Sequence, residues 1–394
     1  MRIGTGAAIL LFSTMLLSGC SGFWTLPASS STTTPTTLSS GVFYVVNQTT
    51  KQIAAYSISS GKLESISGSP YTLAAAPYCI AVAPSGAFLY VGTVNGIYLY
   101  TIASGGALTL ANNGNAISND IASAMQVSGT WLVDAFTAAS GAVQLDAIPI
   151  NSSTGVYTGS GGAPPFQSFS ITNATVKQMV LSPDGANLFV ALGAGGTIVV
   201  PFSSGNANPL SDTATTIPTA NSSGSALSVA VDPTTRLFYI GETLANSSAN
   251  SGGLRVFNYG SLTSGTLTQA SGSPIASGGL APNAILPGAA GNYVYVANGQ
   301  GQTATGTVNS FPITASGTTY TIAAGSSIAS GIQPTGLAED GQDNFILAIA
   351  TGGSTSSGDP DLDAYTMSSG TLTSAISSAT GTDPVGAIAI APLP

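Results

Sequence analysis

The chain has 394 residues, 43% of them hydrophobic and 5% charged, with a formal net charge of −9 and no histidine. Six Lys and Arg against fifteen Asp and Glu exclude a phosphate-gripping surface, so nucleic acid is not an expected partner. Without histidine a Ser-His-Asp triad is impossible, and a body this poor in charge must keep itself soluble with Ser, Thr, Asn, Gln and Gly.

Met1 to Cys20 has the layout of a secretory signal: Arg2 as a short positive start, "AAILLFSTMLL" as an apolar core, and "LSGC" as a small-residue site ending in cysteine. "LSGC" resembles the bacterial lipobox. That resemblance implies a signal peptide over 1–19, lipidation of Cys20, and an exported lipoprotein of the cell envelope, at the outer membrane, the periplasmic face or the cell surface. A plain secretory signal and a short anchor helix are the alternatives, although the apolar run is shorter than the roughly 20 residues that a bilayer-spanning helix needs. Residues 20–41, rich in Ser, Thr and Pro, have too little apolar surface to fold alone and form a tether. Membrane attachment would then rest on acyl chains. With Cys20 lipidated, Cys79 has no partner and is expected as a buried, inert thiol.

From residue 42 onward one pattern repeats about every fifty residues. A short apolar strand occurs at 80–84, 125–129, 179–183, 229–233, 283–287, 335–340 and 387–392. After a tight turn a second follows at 88–93, 130–135, 187–192, 237–242, 293–298 and 345–350, with "VFYVVN" (42–47) as the seventh. Third strands follow at 52–58, 96–102, 142–150, 197–202, 254–259, 307–313 and 361–367, and short fourth strands such as "KLESI", "ALTLA" and "TLTQA" complete the units. These β-branched and aromatic runs, bounded by Gly, Asn, Ser and Pro, are strands and hairpins. Four antiparallel strands at this period predict an all-β fold, a seven-bladed β-propeller over 42–394. The body starts on a second-type strand and finishes on a lone first-type strand. Pairing of 385–392 with 42–47 is therefore expected to close the ring.

The pattern of an apolar strand, an S/D-G turn and "LYV-x-N" resembles the YVTN-type repeats of the seven-bladed lactonase family, whose best-known members are similar to 6-phosphogluconolactonase. In catalytic members the inner strand often opens on a Pro-Arg-His-like or Pro-x-His-like segment. The corresponding segments here are Pro77-Tyr78-Cys79, Pro282-Asn283-Ala284 and Pro334-Thr335-Gly336. Lactone hydrolysis needs a base or polarised water and donors for the oxyanion. By resemblance, Glu242 in "FYIGET" is the catalytic candidate at the channel mouth. Asn47 and Asn298 end equivalent strands as turn formers or ligand contacts.

Asp359, Asp361 and Asp363 in "DPDLD" alternate as Ca²⁺-chelating carboxylates can, although the Gly and remaining ligands of a full calcium loop are missing. No other cofactor is indicated. Long second-to-third loops at 242–253, 298–306 and 350–361 suggest that the loop face of 227–384 receives a glycan, peptide or protein ligand. The expectation is a monomeric, lipid-anchored propeller acting as a non-catalytic binding or scaffolding module, with a sugar-acid lactonase using a carboxylate-activated water as the alternative.

Overall fold

The computed structural model describes residues 41–59, 62–159, 163–245, 251–301, 304–340, 345–351, 361–378 and 384–391. The expected signal peptide, Cys20 and nearly all of the expected tether lie outside them. Among the described residues there is no α-helix, only strands and two short 3₁₀ turns at Asn112–Gly114 and Tyr259–Leu262, and no helix is long and apolar enough to cross a membrane.

The strands assemble into seven antiparallel sheets, the blades of a β-propeller. Blade 2 shows the common plan: inner strand Pro77–Val82, then Phe88–Thr93, Gly96–Ile102 and the outer Leu108–Leu110, paired in chain order. Blades 3 to 7 start on inner strands Ala124–Ser128, Gln178–Leu181, Ala226–Val231, Ala281–Pro287 and Pro334–Glu339. In blade 1, Val42–Asn47 pairs with Gln52–Ser59 on one side. On its other side it pairs with the backbone of Pro384–Ala391, in a register that sets Val42 opposite Ala391 and Asn47 opposite Pro384.

Period-2 alternation explains why the second strands are buried along nearly all of their length. Successive side chains point to opposite faces of a blade, and each face is covered by a neighbour. Val42, Tyr44 and Val46 join Ile80, Leu89 and Val91 between blades 1 and 2. Phe88 and Tyr90, on the other face of blade 2, join Leu132 and Ile148 of blade 3. The series runs round to blade 7, where Leu347 and Ile349 pack against Phe43 and Val45 of blade 1. The core is thus a set of layers between blades.

A polar latch recurs in these layers. Tyr44 donates its hydroxyl proton to the Gly106 carbonyl at 2.7 Å, and Tyr90 to the Gly155 carbonyl at 2.9 Å, each reaching the third-to-fourth turn of the next blade. Gly106 (φ +81°) and Gly155 (φ +72°) are left-handed, and a Cβ would stand 2.7 Å from Val42 Cγ1 or 2.9 Å from Phe88 Cδ1. Only glycine permits both the turn and the close approach.

The outer strands depart from expectation. "TLTQA" forms no strand: Gln269 makes a lone bridge to Phe257, and Ile275–Ala276 takes the outer position of blade 5. Blade 6 has a bent strand, Thr305–Ser316, that pairs with both Thr319–Ile322 and Ser327–Ile332. Outer strands are polar and packed on one face only, so hydrophobic periodicity specifies them weakly.

Candidate functional site

The loops joining one blade to the next and the second-to-third loops lie on one side of the propeller, since Pro77 at the start of an inner strand pairs with Thr93 at the end of a second strand. This is the mouth on which the sequence places a site. At the inner strands of blades 2, 5, 6 and 7 the register slips there, between Pro77 and Cys79, Ala226 and Ser228, Pro282 and Ala284, and Pro334 and Gly336. The blade 1 inner strand slips one step further in, between Val385 and Ala389. The extra residues in the bulges of blades 2, 5, 6 and 7 are Tyr78, Leu227, Asn283 and Thr335. A bulge re-aims a side chain and often does so beside active sites. Here the four re-aimed residues carry no charge. Tyr78 is exposed, while Asn283 Nδ2 donates to the Pro334 carbonyl at 3.0 Å.

Other polar side chains of the inner strands also bind the next blade. Gln126 Nε2 donates to the Met179 carbonyl at 3.0 Å, the Val229 N–H donates to Gln178 Oε1 at 2.9 Å, and Ser228 Oγ donates to the Pro282 carbonyl at 2.7 Å. This belt fastens blades 3 to 7 around the axis.

Glu242 ends its strand on the mouth side, opposite Ala226, but its side chain is turned into a blade interface. It ends the strand Leu237–Glu242 fully buried, and Oε1 accepts from Arg255 Nη1 at 2.7 Å. The Ala220 N–H donates to Oε2 at 2.8 Å. Arg255, two positions along the neighbouring strand, also donates to the Pro218 carbonyl and lies 4.9 Å from the Phe257 ring centroid. The same layer between blades 4 and 5 holds Ile240 and Phe257. Carboxylate and guanidinium thus neutralise each other inside a blade interface.

Asn47 and Asn298 are fully buried. Asn298 Nδ2 donates to the Ser277 carbonyl at 2.7 Å, which ties its strand to the connection entering blade 6. Asp359 lies outside the described residues, as do 246–250, 302–303 and 352–360 of the long loops. Asp363 is engaged within blades 6 and 7, accepting from Ser377 at 2.7 Å, Tyr365 at 3.2 Å and Ser330 at 3.5 Å. Buried Asp361 acts on Tyr56 of blade 1, which burial first and this carboxylate second push above the usual phenol range. Asp363 is thus satisfied by hydroxyls of blades 6 and 7, while Asp361 lies near enough to Tyr56 of blade 1 to act on its phenol.

A different carboxylate group does converge. Asp134 and Asp146 stand directly opposite each other in adjacent strands of blade 3, and Asp120 approaches them from the connection between blades 2 and 3. One oxygen of each lies within 4.8 Å of the others. Asp134 is completely buried, and burial, then Asp120 and Asp146, push its carboxyl well above the ordinary range. Sequence inspection missed the group, although an aspartate inside each of two apolar strands is itself a signal.

Fold and mouth together define a seven-bladed propeller whose bulged inner-strand residues Tyr78, Leu227, Asn283 and Thr335 carry no charge. Among solved structures the chain is similar to a candidate 6-phosphogluconolactonase from Bacteroides uniformis, with TM-score 0.65 and 16% identity over 89% of this chain and 99% of the other. A second such candidate, from Bacteroides fragilis, matches with TM-score 0.65 and 14% identity over 91% and 99%. A functionally unknown protein from Desulfotomaculum acetoxidans matches at 0.62 and 13%, over 89% and 98%. No family model and no curated protein sequence matches the chain. The likeness is one of lactonase-like propeller architecture.

Proposed function

We propose that the protein is an exported propeller, anchored through a lipid on Cys20, that works as a non-catalytic binding module at the cell envelope. The carrying observation is the bulged mouth. Where the lactonase resemblance would place basic or acid–base residues, blades 2, 6 and 7 have Tyr78, Asn283 and Thr335, and blade 4 has a basic residue, exposed Lys177. An exposed tyrosine amid hydroxyls, amides and backbone suits stacking on an uncharged ligand such as a glycan. Val94, Ile121 and Leu280, exposed in loops of the same face, widen the apolar contact. The Glu242–Arg255 pair supports the absence of hydrolysis, since each group is already occupied by the other.

The test is a panel of sugar-acid lactones and a glycan array offered to the purified protein, with Tyr78→Ala beside wild type. Expected are no lactone turnover and glycan binding that weakens in Tyr78→Ala. Turnover that disappears in Glu242→Gln would overturn the binding reading. Metabolic labelling with radioactive palmitate should mark the wild type and not Cys20→Ala; equal labelling of both would remove the anchor.

A further inference from the structure

We propose that Asp120, Asp134 and Asp146 form a divalent-cation site between blades 2 and 3, with Ca²⁺ as the fitting ion. The pairing of strands Trp131–Thr137 and Val143–Pro149 puts Asp134 and Asp146 face to face on the side turned toward blade 2. Like charges directly opposite in a sheet repel, so this pair demands compensation. No basic side chain among the described residues supplies it: the two ion pairs there are Arg236–Asp232 and Arg255–Glu242, far along the chain from the group. Solvent does not supply it to Asp134, which is 0% exposed.

The second observation is the state of Asp134 itself. Neither Oδ1 nor Oδ2 has a hydrogen-bond partner of normal geometry among the described residues, although both are buried, and the Asp146 backbone N–H only partly offsets that burial. A buried carboxylate so poorly satisfied is expensive unless it is paired or coordinates a metal. The outer two carboxylates are held for such a role. Gln144 Nε2 donates to Asp146 Oδ1 at 2.8 Å, and Ser118 Oγ donates to Asp120 Oδ2. Neighbours that bond a ligand orient it toward the ion.

The donor set selects the kind of metal. It consists of carboxylate oxygens, with no imidazole in the chain, and the nearby Cys79 thiol donates to the Ala122 carbonyl at 3.3 Å. Oxygen-only sites suit hard cations. Mg²⁺ demands near-ideal octahedral geometry and gives up its waters reluctantly, whereas Ca²⁺ accepts flexible sets of protein oxygens, so a site centred on the fully buried Asp134 favours Ca²⁺. Asp120 is only half-buried and provides the route of entry.

The experiment is a calorimetric titration of CaCl₂, and separately MgCl₂, into the chelator-stripped full-length protein, with melting curves in Ca²⁺ and in EGTA. Expected are one Ca²⁺ per chain, weaker Mg²⁺ binding, and a higher Tm with Ca²⁺. Asp134→Asn should abolish the response. Should that variant fail to fold, Asp120→Asn, whose side chain is half-buried, should weaken Ca²⁺ binding by on the order of tenfold or more. No Ca²⁺ binding and no Tm difference in folded wild type would overturn the proposal. So would Ca²⁺ binding that Asp120→Asn leaves unchanged and Asp363→Asn abolishes.

Discussion

Arg255 Nη1 and Glu242 Oε1 lie 2.7 Å apart in the layer between blades 4 and 5, and neither side chain is more than 10% exposed. Removing one member of a buried pair leaves an uncompensated charge, which costs about 3–5 kcal/mol, whereas replacing both by apolar or neutral groups is often nearly neutral. Arg255→Met should therefore destabilise strongly, and Glu242→Gln/Arg255→Met should recover most of the loss. Urea unfolding of the single and double variants checks this. Equal losses in both would show that packing by Arg255 on Phe257, and not charge, dominates.

The tyrosine latches allow a paired comparison. Tyr90→Phe leaves the buried Gly155 carbonyl without its donor and should cost about 1–2 kcal/mol. Tyr239 is equally buried in an equivalent second strand, yet its hydroxyl has no partner among the described residues. Tyr239→Phe should then be neutral or slightly stabilising. Matched melting curves decide the point, and equal destabilisation by both substitutions would refute it.

Cys79 and Gly92 face each other across paired strands, where a Cβ on Gly92 would stand 2.6 Å from Cys79 Sγ. Gly92→Ala should destabilise by about 1–3 kcal/mol through overpacking. Adding Cys79→Ala should return part of that loss, the coupling expected of touching residues. Burial also pushes the Cys79 thiol far above its usual range, with Asp134 adding to the effect. A thiol reagent applied to residues 41–394 at neutral pH should leave the folded protein unlabelled and label one thiol after denaturation; fast labelling of the native form would contradict the packing.

How far the sequence carries these results depends on what each feature rests upon. Inner and second strands were legible because both of their faces are covered by neighbouring blades, which leaves near-continuous apolar runs such as "VFYVVN" and "FLYVGT" between turn residues. Outer strands carry no such imprint, and "TLTQA" was misplaced for that reason. The setting of Glu242 was illegible because its partner lies thirteen residues on, diagonal across a sheet, and its second donor, Ala220, comes from a connection. The spacing of "DPDLD" does not reveal that Asp363 already accepts from three hydroxyls of blades 6 and 7. Asp134 and Asp146 sat in plain view inside "TWLVDA" and "AVQLDAIPI". Only the register set them opposite each other, and only the chain path brought Asp120 to them.

The backbone pairing of Pro384–Ala391 with Val42–Asn47 leads to a last prediction, that this pairing holds the ring shut. The final strand lies between the inner strands of blades 7 and 2, so its loss would open a gap beside the axis. Val42–Asn47 would become an unpaired edge, and its six side chains are all buried in the intact protein. An exposed apolar edge invites pairing with other chains. A chain ending at residue 383 should therefore melt at a markedly lower temperature and form oligomers by size-exclusion chromatography. Supplying 384–394 as a separate peptide should restore part of the lost stability, because the strand binds only the folded ring. A truncated chain that stays monomeric with an unchanged Tm would show that the layer between blades 7 and 1, built on Phe43, Val45, Leu347 and Ile349, closes the propeller without it.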